Sequence, residues 1–265
     1  MLEHAYGYDD VAIVPGEFTI NPELAETKFK IQELEFDLPV LASAMDAVVS
    51  PSFAVQFNKK GGLGVLNLEG IYTKYSDYED VLQSIISSEP EKATSIMQDV
   101  YNKEISEELV AERVQEIKSN NVICAVSVTP QNTKRLSPIA IDAGADIIVV
   151  QSTVTTPRHF SRSITGLNMS ELKKQIKVPL IVGNCVSYNV ALEFMNTGVD
   201  GILVGVGPGA ACTTREVTGL GVPQVTATLN CSKASKILNS KNVLSFEEII
   251  KMTAQWYSQY YSKPK

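Results

Sequence analysis

Short, almost wholly apolar runs recur along this chain, each followed by a longer stretch with helical spacing. That alternation restricts the fold more than any other feature. The runs fall at 38–43, 62–67, 122–128, 146–152, 179–184 and 201–207. Strands this apolar are buried on both faces, as in a parallel sheet covered by helices. Repeated strand–helix–strand units of this kind make an α/β fold. A chain of 265 residues suits one large α/β barrel or two small domains. Its hydrophobic fraction of 44% supplies the core of an ordinary soluble globular protein.

The clearest helix lies at 106–118, where Leu109, Val110, Val114 and Ile117 form one stripe and charges occupy the rest. Another is expected at 189–196, preceded by Tyr188 and ended by Thr197-Gly198. The last four apolar runs end in polar or glycine-rich sequence: SVTPQN, VQSTVTT, GNCVS and GVGPGAACTT. In a parallel barrel such ends gather where ligands bind. The strand count stops at six, and after Val225 the sequence changes character. A capping-box-like Ser245-Phe-Glu-Glu opens an expected amphipathic helix at 245–260. The expected division is a partial barrel core over 1–227 and a divergent helical tail over 228–265.

A net charge of -7 with no basic block argues against a nucleic-acid surface. An anionic substrate would need a local trap rather than a global field. No apolar stretch approaches the roughly 18 residues of a membrane span, and the first residues lack the pattern of a signal peptide. The expectation is a cytoplasmic protein without membrane or nucleic-acid partners. Cys124, Cys185, Cys212 and Cys231 show no CxxC pairing, which fits reduced thiols. Of these, Cys185 lies beside Asn184 and hence near the expected site, whereas Cys124 and Cys231 read as packing or surface thiols. His4 and His159 stand far apart, against a histidine-based metal site, and His159 reads as a loop residue.

Chemistry concentrates in Gly205-Val-Gly-Pro-Gly-Ala-Ala-Cys-Thr-Thr-Arg215, directly after the sixth run. Gly205, Gly207 and Gly209 permit a tight loop whose backbone can approach a ligand or ion. Cys212 then sits where a strand has ended and backbone amides are free, a setting that favours a thiolate. The hydroxyls of Thr213 and Thr214 can hold a substrate or an attacking water, completing a covalent-catalysis site. The plainer alternative is that Cys212 is a small buried apolar residue after a common turn.

The loop, continued through Gly219, Gly221, Pro223 and Gln224, resembles the cysteine-loop signature of the IMP dehydrogenase/GMP reductase family. Tyr8-Asp9-Asp10 through Pro15-Gly16 is similar to that family's opening strand. Leu38-Pro39 through Ser43-Ala-Met45-Asp46 is similar to its first barrel strand, Gly61-Gly-Leu-Gly64 to its second, and Gly183-Asn184 to its GN pair. The resemblance covers about residues 6–227 and is closest to the smaller members without a paired regulatory (CBS) domain. It implies a (β/α)8 TIM-barrel type fold, here incomplete, with about six βα units recognisable.

The implied activity is that of a purine-nucleotide oxidoreductase in GMP biosynthesis: IMP, NAD and water give XMP and NADH through a covalent cysteine adduct. Cys212 would be the nucleophile, and Thr214 would position water. Ser43, Met45, Asn184 and Gly209 would bind substrate, and Gln151, Ser152 and Asn184 the dinucleotide. Gly207, Gly209 and Cys212 would offer backbone carbonyls to a monovalent cation such as potassium. A homo-oligomer, a tetramer by resemblance, is also implied. Three departures stand out. Gln151-Ser152-Thr153 replaces an Asp-Ser-Ser run, and Ala210-Ala211 replaces Ser-Ile. The seventh and eighth units, with their ribose-binding aspartate and mobile flap, are not visible. GMP reductase, or a shortened family member that binds nucleotide without turnover, are the alternatives.

Overall fold

The structure, a computed structural model, describes residues 4–16, 19–158, 167–210 and 212–237. Two compact units divide the chain: Lys30–Gln151 with Ile176–Ile181, and Met1–Phe29 with Ser152–Gln175 and Val182–Lys265. Strands β1 (Phe29–Ile31) and β2 (Leu34–Phe36) form a small separate sheet. The main sheet has six strands in simple sequence order. They are β3 (Leu41–Ala42), β4 (Leu63–Asn67), β5 (Ala125–Val128), β6 (Ile147–Gln151), β7 (Leu180–Cys185) and β8 (Gly201–Val204). Each of the six expected runs therefore contains a strand. Six βα units in order are those of an incomplete (β/α) barrel.

In the unit built on Lys30–Gln151, β3 to β6 pair in parallel, with Leu41 opposite Leu63, Val65 opposite Ala125 and Ala125 opposite Ile147. The helices between them are α1 (Pro51–Asn58), α2 (Tyr78–Ile86), α3 (Pro90–Asn102), α4 (Glu107–Lys118) and α5 (Thr133–Asp142). Ser50 caps α1 by accepting from the Phe53 amide at 3.0 Å, and Pro51 opens the helix where no N–H is needed. The cap of α4 is Ser106, bonded by the Leu109 amide at 3.2 Å. Val110, Val114 and Ile117 of the expected stripe are fully buried, each worth about 1.5–3 kcal/mol. Strand β5 begins later than its apolar run because the Cys124 amide is bound by the Asp146 carboxylate at 2.7 Å. Lys118 holds that same carboxylate at 2.8 Å.

The other unit carries α6 (Met169–Gln175), α7 (Tyr188–Asn196), α8 (Thr214–Thr218) and α9 (Gln224–Ile237). Helix α9 packs on α7 and β8. Its Ala227, Cys231 and Ala234 are buried at helical spacing, and Phe194 of α7 is wholly enclosed. Helix α9 runs unbroken across residue 227, where the tail was expected to begin. The expected helix at 245–260 lies outside the described residues. One expectation is corrected: 8–16 is not an opening strand. Tyr8–Asp10 is a 3-10 turn, closed by Gly7 N–H on Asp10 at 2.7 Å. Beyond it Val11, Ile13 and Val14 are exposed, so no apolar face drives them onto a sheet. The chain is anchored just before, where Tyr6 N–H donates to the Thr226 hydroxyl at 2.7 Å.

Candidate active site

Strand β8 ends at Val204, whose carbonyl accepts from the Gln224 amide side chain at 3.0 Å. Gly205 N–H donates to the Cys185 carbonyl at 3.0 Å. Val222 N–H then donates to Val206 O at 3.0 Å, closing the segment between them into a loop. The stem of Arg215 passes between two glycines of that loop. A Cβ on Gly207 would stand 2.8 Å from Arg215 Cγ, and one on Gly221 would stand 2.2 Å from it. Both positions need glycine because an arginine fills the space a side chain would take.

On this loop Cys212 is exposed, which removes the buried packing role as its explanation. Its N–H donates to Gly209 O at 3.1 Å. Its sulfur accepts from the hydroxyl and from the backbone N–H of Thr214, and these two bonds hold the thiol pKa below its ordinary value. Thr214 is the first residue of α8. Sequence spacing places Thr214 beside Cys212, but only the turn into α8 aims both of its donors at one sulfur.

Asn184 follows a cis peptide bond from Gly183. Its amide nitrogen donates to Gly205 O at 3.0 Å, tying the end of β7 to the start of the cysteine loop. Its Oδ1 is buried and has no hydrogen-bond partner among the described residues. A buried acceptor left bare costs roughly 1–3 kcal/mol, so this atom suits a ligand N–H or O–H. The Ser152 hydroxyl is used locally, donating to Val154 O at 2.8 Å and lying 2.9 Å from the Thr155 hydroxyl.

In the unit built on Lys30–Gln151, Ser43 is exposed and Met45 is 54% exposed, so Met45 is no core residue. Both sit in a tight turn after β3, with Met45 N–H on Ser43 O at 2.8 Å. Behind them stands Asp46, a group sequence reasoning passed over except as part of a motif. Its buried carboxylate accepts from Ile71 N–H at 2.8 Å, Asn67 Nδ2 at 3.2 Å and the Tyr101 hydroxyl at 2.6 Å. Its carbonyl accepts from the Tyr72 hydroxyl at 3.0 Å. The signal was an aspartate inside an apolar run with Gly70 later in the chain. A Cβ there would fall 1.9 Å from Asp46 Oδ1. Glu69 similarly holds the turn after β5, through Thr129 N–H at 2.5 Å and Asn132 Nδ2 at 2.7 Å. Gln151 is half-buried at the end of β6.

Among the described residues no group of three or more His, Cys, Asp or Glu could hold a metal ion. His159 lies outside them. The donors for a hard monovalent cation are backbone carbonyls. Gly209 O already accepts one bond from Cys212 N–H, and a carbonyl oxygen has a second lone pair, so this atom keeps one acceptor position for such an ion. No helix among the described residues is long and apolar enough to cross a membrane.

The model of the IMP dehydrogenase / GMP reductase domain matches residues 5–245. The chain belongs to this family. A Mycolicibacterium smegmatis protein named as an uncharacterized oxidoreductase is 32% identical over 237 residues, 87% of this chain and 63% of that protein. Inosine-5'-monophosphate dehydrogenase of Cryptosporidium parvum is 29% identical over 251 residues, covering 86% of this chain and 58% of its own length. A crystal structure of an IMP dehydrogenase/GMP reductase-like protein from Corynebacterium glutamicum superposes with a TM-score of 0.84 at 29% identity, covering 96% of this chain and 71% of that one. This family member thus spans less than two thirds of the length of these two curated relatives. Its barrel-type fold follows from the family.

Proposed function

We propose that this family member oxidises IMP to XMP, with NAD and water, through a covalent adduct on Cys212. The observation that carries the reading is the Cys212 sulfur: exposed, presented by a glycine loop, and held toward the thiolate by Thr214. The thiolate forms a bond to C2 of the purine, and the C2 hydrogen leaves as hydride. Water then breaks the carbon–sulfur bond, leaving oxygen on C2 and the proton on sulfur. NAD, when bound, supplies the acceptor for that hydride.

The residues of the chain act around this step. While sulfur is anionic, the Thr214 hydroxyl and amide stabilise it. Once sulfur is bonded to carbon it is a poor acceptor, and the hydroxyl is released to hold the attacking water. Asn184 Oδ1, bare and buried, accepts from a nucleotide or dinucleotide hydroxyl or amide. On the family pattern Ser43 and Met45 contact the base and ribose, Gly209 the substrate, and Gln151 and Ser152 the dinucleotide. Gly207, Gly209 and Cys212 carbonyls would hold potassium, which stiffens the loop. A reducing, cytoplasmic setting suits four free cysteines.

Purified protein mixed with IMP and NAD should raise NADH absorbance, and Cys212→Ala should abolish the rise. A folded wild-type sample that yields no NADH, or a variant that yields as much, would refute the proposal.

A further inference from the structure

Cys185 and Cys231 play no part in the chemistry above, yet the fold brings them together. Cys185 is the last residue of β7 and 2% exposed, while Cys231 lies on the buried face of α9 and is 4% exposed. The two thiols are close enough for each to shift the other's proton affinity. The Cys231 sulfur also lies 3.8 Å from the Ser187 carbonyl. Two thiols meeting in an otherwise apolar, tightly packed seam are one bond away from a cystine.

From this juxtaposition we infer that Cys185 and Cys231 form a reversible dithiol–disulfide site, oxidised by a small hydroperoxide. The contact with Cys231, with burial adding to it, raises the Cys185 pKa, and the same contact lowers that of Cys231. Either sulfur can attack. With Cys231 attacking, it takes one oxygen of the hydroperoxide as the O–O bond breaks, giving a sulfenic acid and, from hydrogen peroxide, water. The Cys185 sulfur then displaces the hydroxyl from Cys231, the S–S bond forms, and the Cys185 proton leaves with that hydroxyl as a second water. Two thiols lose two electrons and one peroxide gains them. Near-complete burial selects a small oxidant over a bulky disulfide.

The position gives the bond a consequence. Cys185 follows Asn184, and its carbonyl receives the Gly205 amide. Helix α9 carries Gln224, whose side chain holds Val204. A disulfide joins two elements that both end on the cysteine loop.

The test uses the Cys212→Ser variant, because trypsin leaves Cys185 and Cys212 on one fragment, 178–215, and Cys231 on 216–233. After hydrogen peroxide and alkylation under denaturing conditions, the two fragments should appear joined, at their summed mass less two hydrogen atoms. Dithiothreitol before alkylation should separate them, and adding Cys231→Ala should abolish the joined species. Recovery of both cysteines as alkylated thiols, or of each singly as sulfinic acid without a joined fragment, overturns the inference. The measurement reads wild-type contacts in the Cys212→Ser chain alone, so it stands even where Cys231→Ala fails to fold.

Discussion

Gly221→Ala tests whether the stem of Arg215 locks the cysteine loop. The three atoms nearest an added Cβ all belong to that one side chain: Cγ at 2.2 Å, Cδ at 2.6 Å and Nε at 3.3 Å. The arginine must leave its place or the backbone must part. Overpacking of this order costs about 1–3 kcal/mol. Arg215→Ala empties the same space, so the double variant should be no less stable than Arg215→Ala alone. The coupling then equals nearly the whole cost of the glycine change. Gly207→Ala behaves differently. Its φ of 61° costs a residue with a Cβ about 1–2 kcal/mol. Its Cβ also meets the Leu220 carbonyl oxygen at 2.9 Å, which removing Arg215 does not relieve. The expected loss is therefore about 2–5 kcal/mol, only partly recovered by Arg215→Ala. Gly219→Ala is the control: φ is 71° and no atom lies within 4 Å, leaving the conformational cost of about 1–2 kcal/mol alone. Urea unfolding followed by circular dichroism gives these stabilities and the cycle. If Gly221→Ala and Arg215→Ala prove additive, or Gly207→Ala costs no more than Gly219→Ala, the lock does not exist.

Thr214→Val should move the pH profile of Cys212 alkylation by iodoacetamide to higher pH. It removes the first of the two bonds that depress the thiol pKa, while Thr214→Ser should keep the profile in place. Gly70→Ala should destabilise the fold by about 2–4 kcal/mol in urea unfolding, because its Cβ falls on the Asp46 carboxylate. Alkaline pH should weaken the protein by a defined route. Burial, with the Asp46 charge adding to it, raises the Tyr72 phenol from 10.0 to about 12. The folded form therefore binds this proton more tightly than the unfolded chain. The associated stability is full below pH 10 and disappears as pH rises through about 12. Cys124, raised by burial and the Asp146 charge, adds a decline between 9 and about 12. Cys124→Ala should remove that earlier part from a series of unfolding midpoints.

Much of this was legible in the sequence. Strands such as 146–152 and the stripe Val110, Val114, Ile117 declare themselves because the period of apolar residues is the period of burial. The glycine–cysteine loop was legible for a related reason: glycines mark where backbone must turn or come close. The 8–16 segment was expected to be a strand because it is similar to the family's opening segment, while only packing decides whether a sheet is there to receive Val11, Ile13 and Val14. Helix α9 was hard to see because its buried face is Ala227, Cys231 and Ala234, small residues with little contrast against serine, threonine and asparagine.

Sequence alone determined the order of the βα units, the place of the glycine–cysteine loop and the family to which both belong, since each is a local pattern readable within a few turns of chain. Tertiary structure decided which groups meet across long separations. It put Tyr101 on Asp46, Arg215 between Gly207 and Gly221, and Cys231 against Cys185. The physical reason is that such contacts depend on how helices settle on a sheet, and no periodicity along the chain records the angle or depth at which they do.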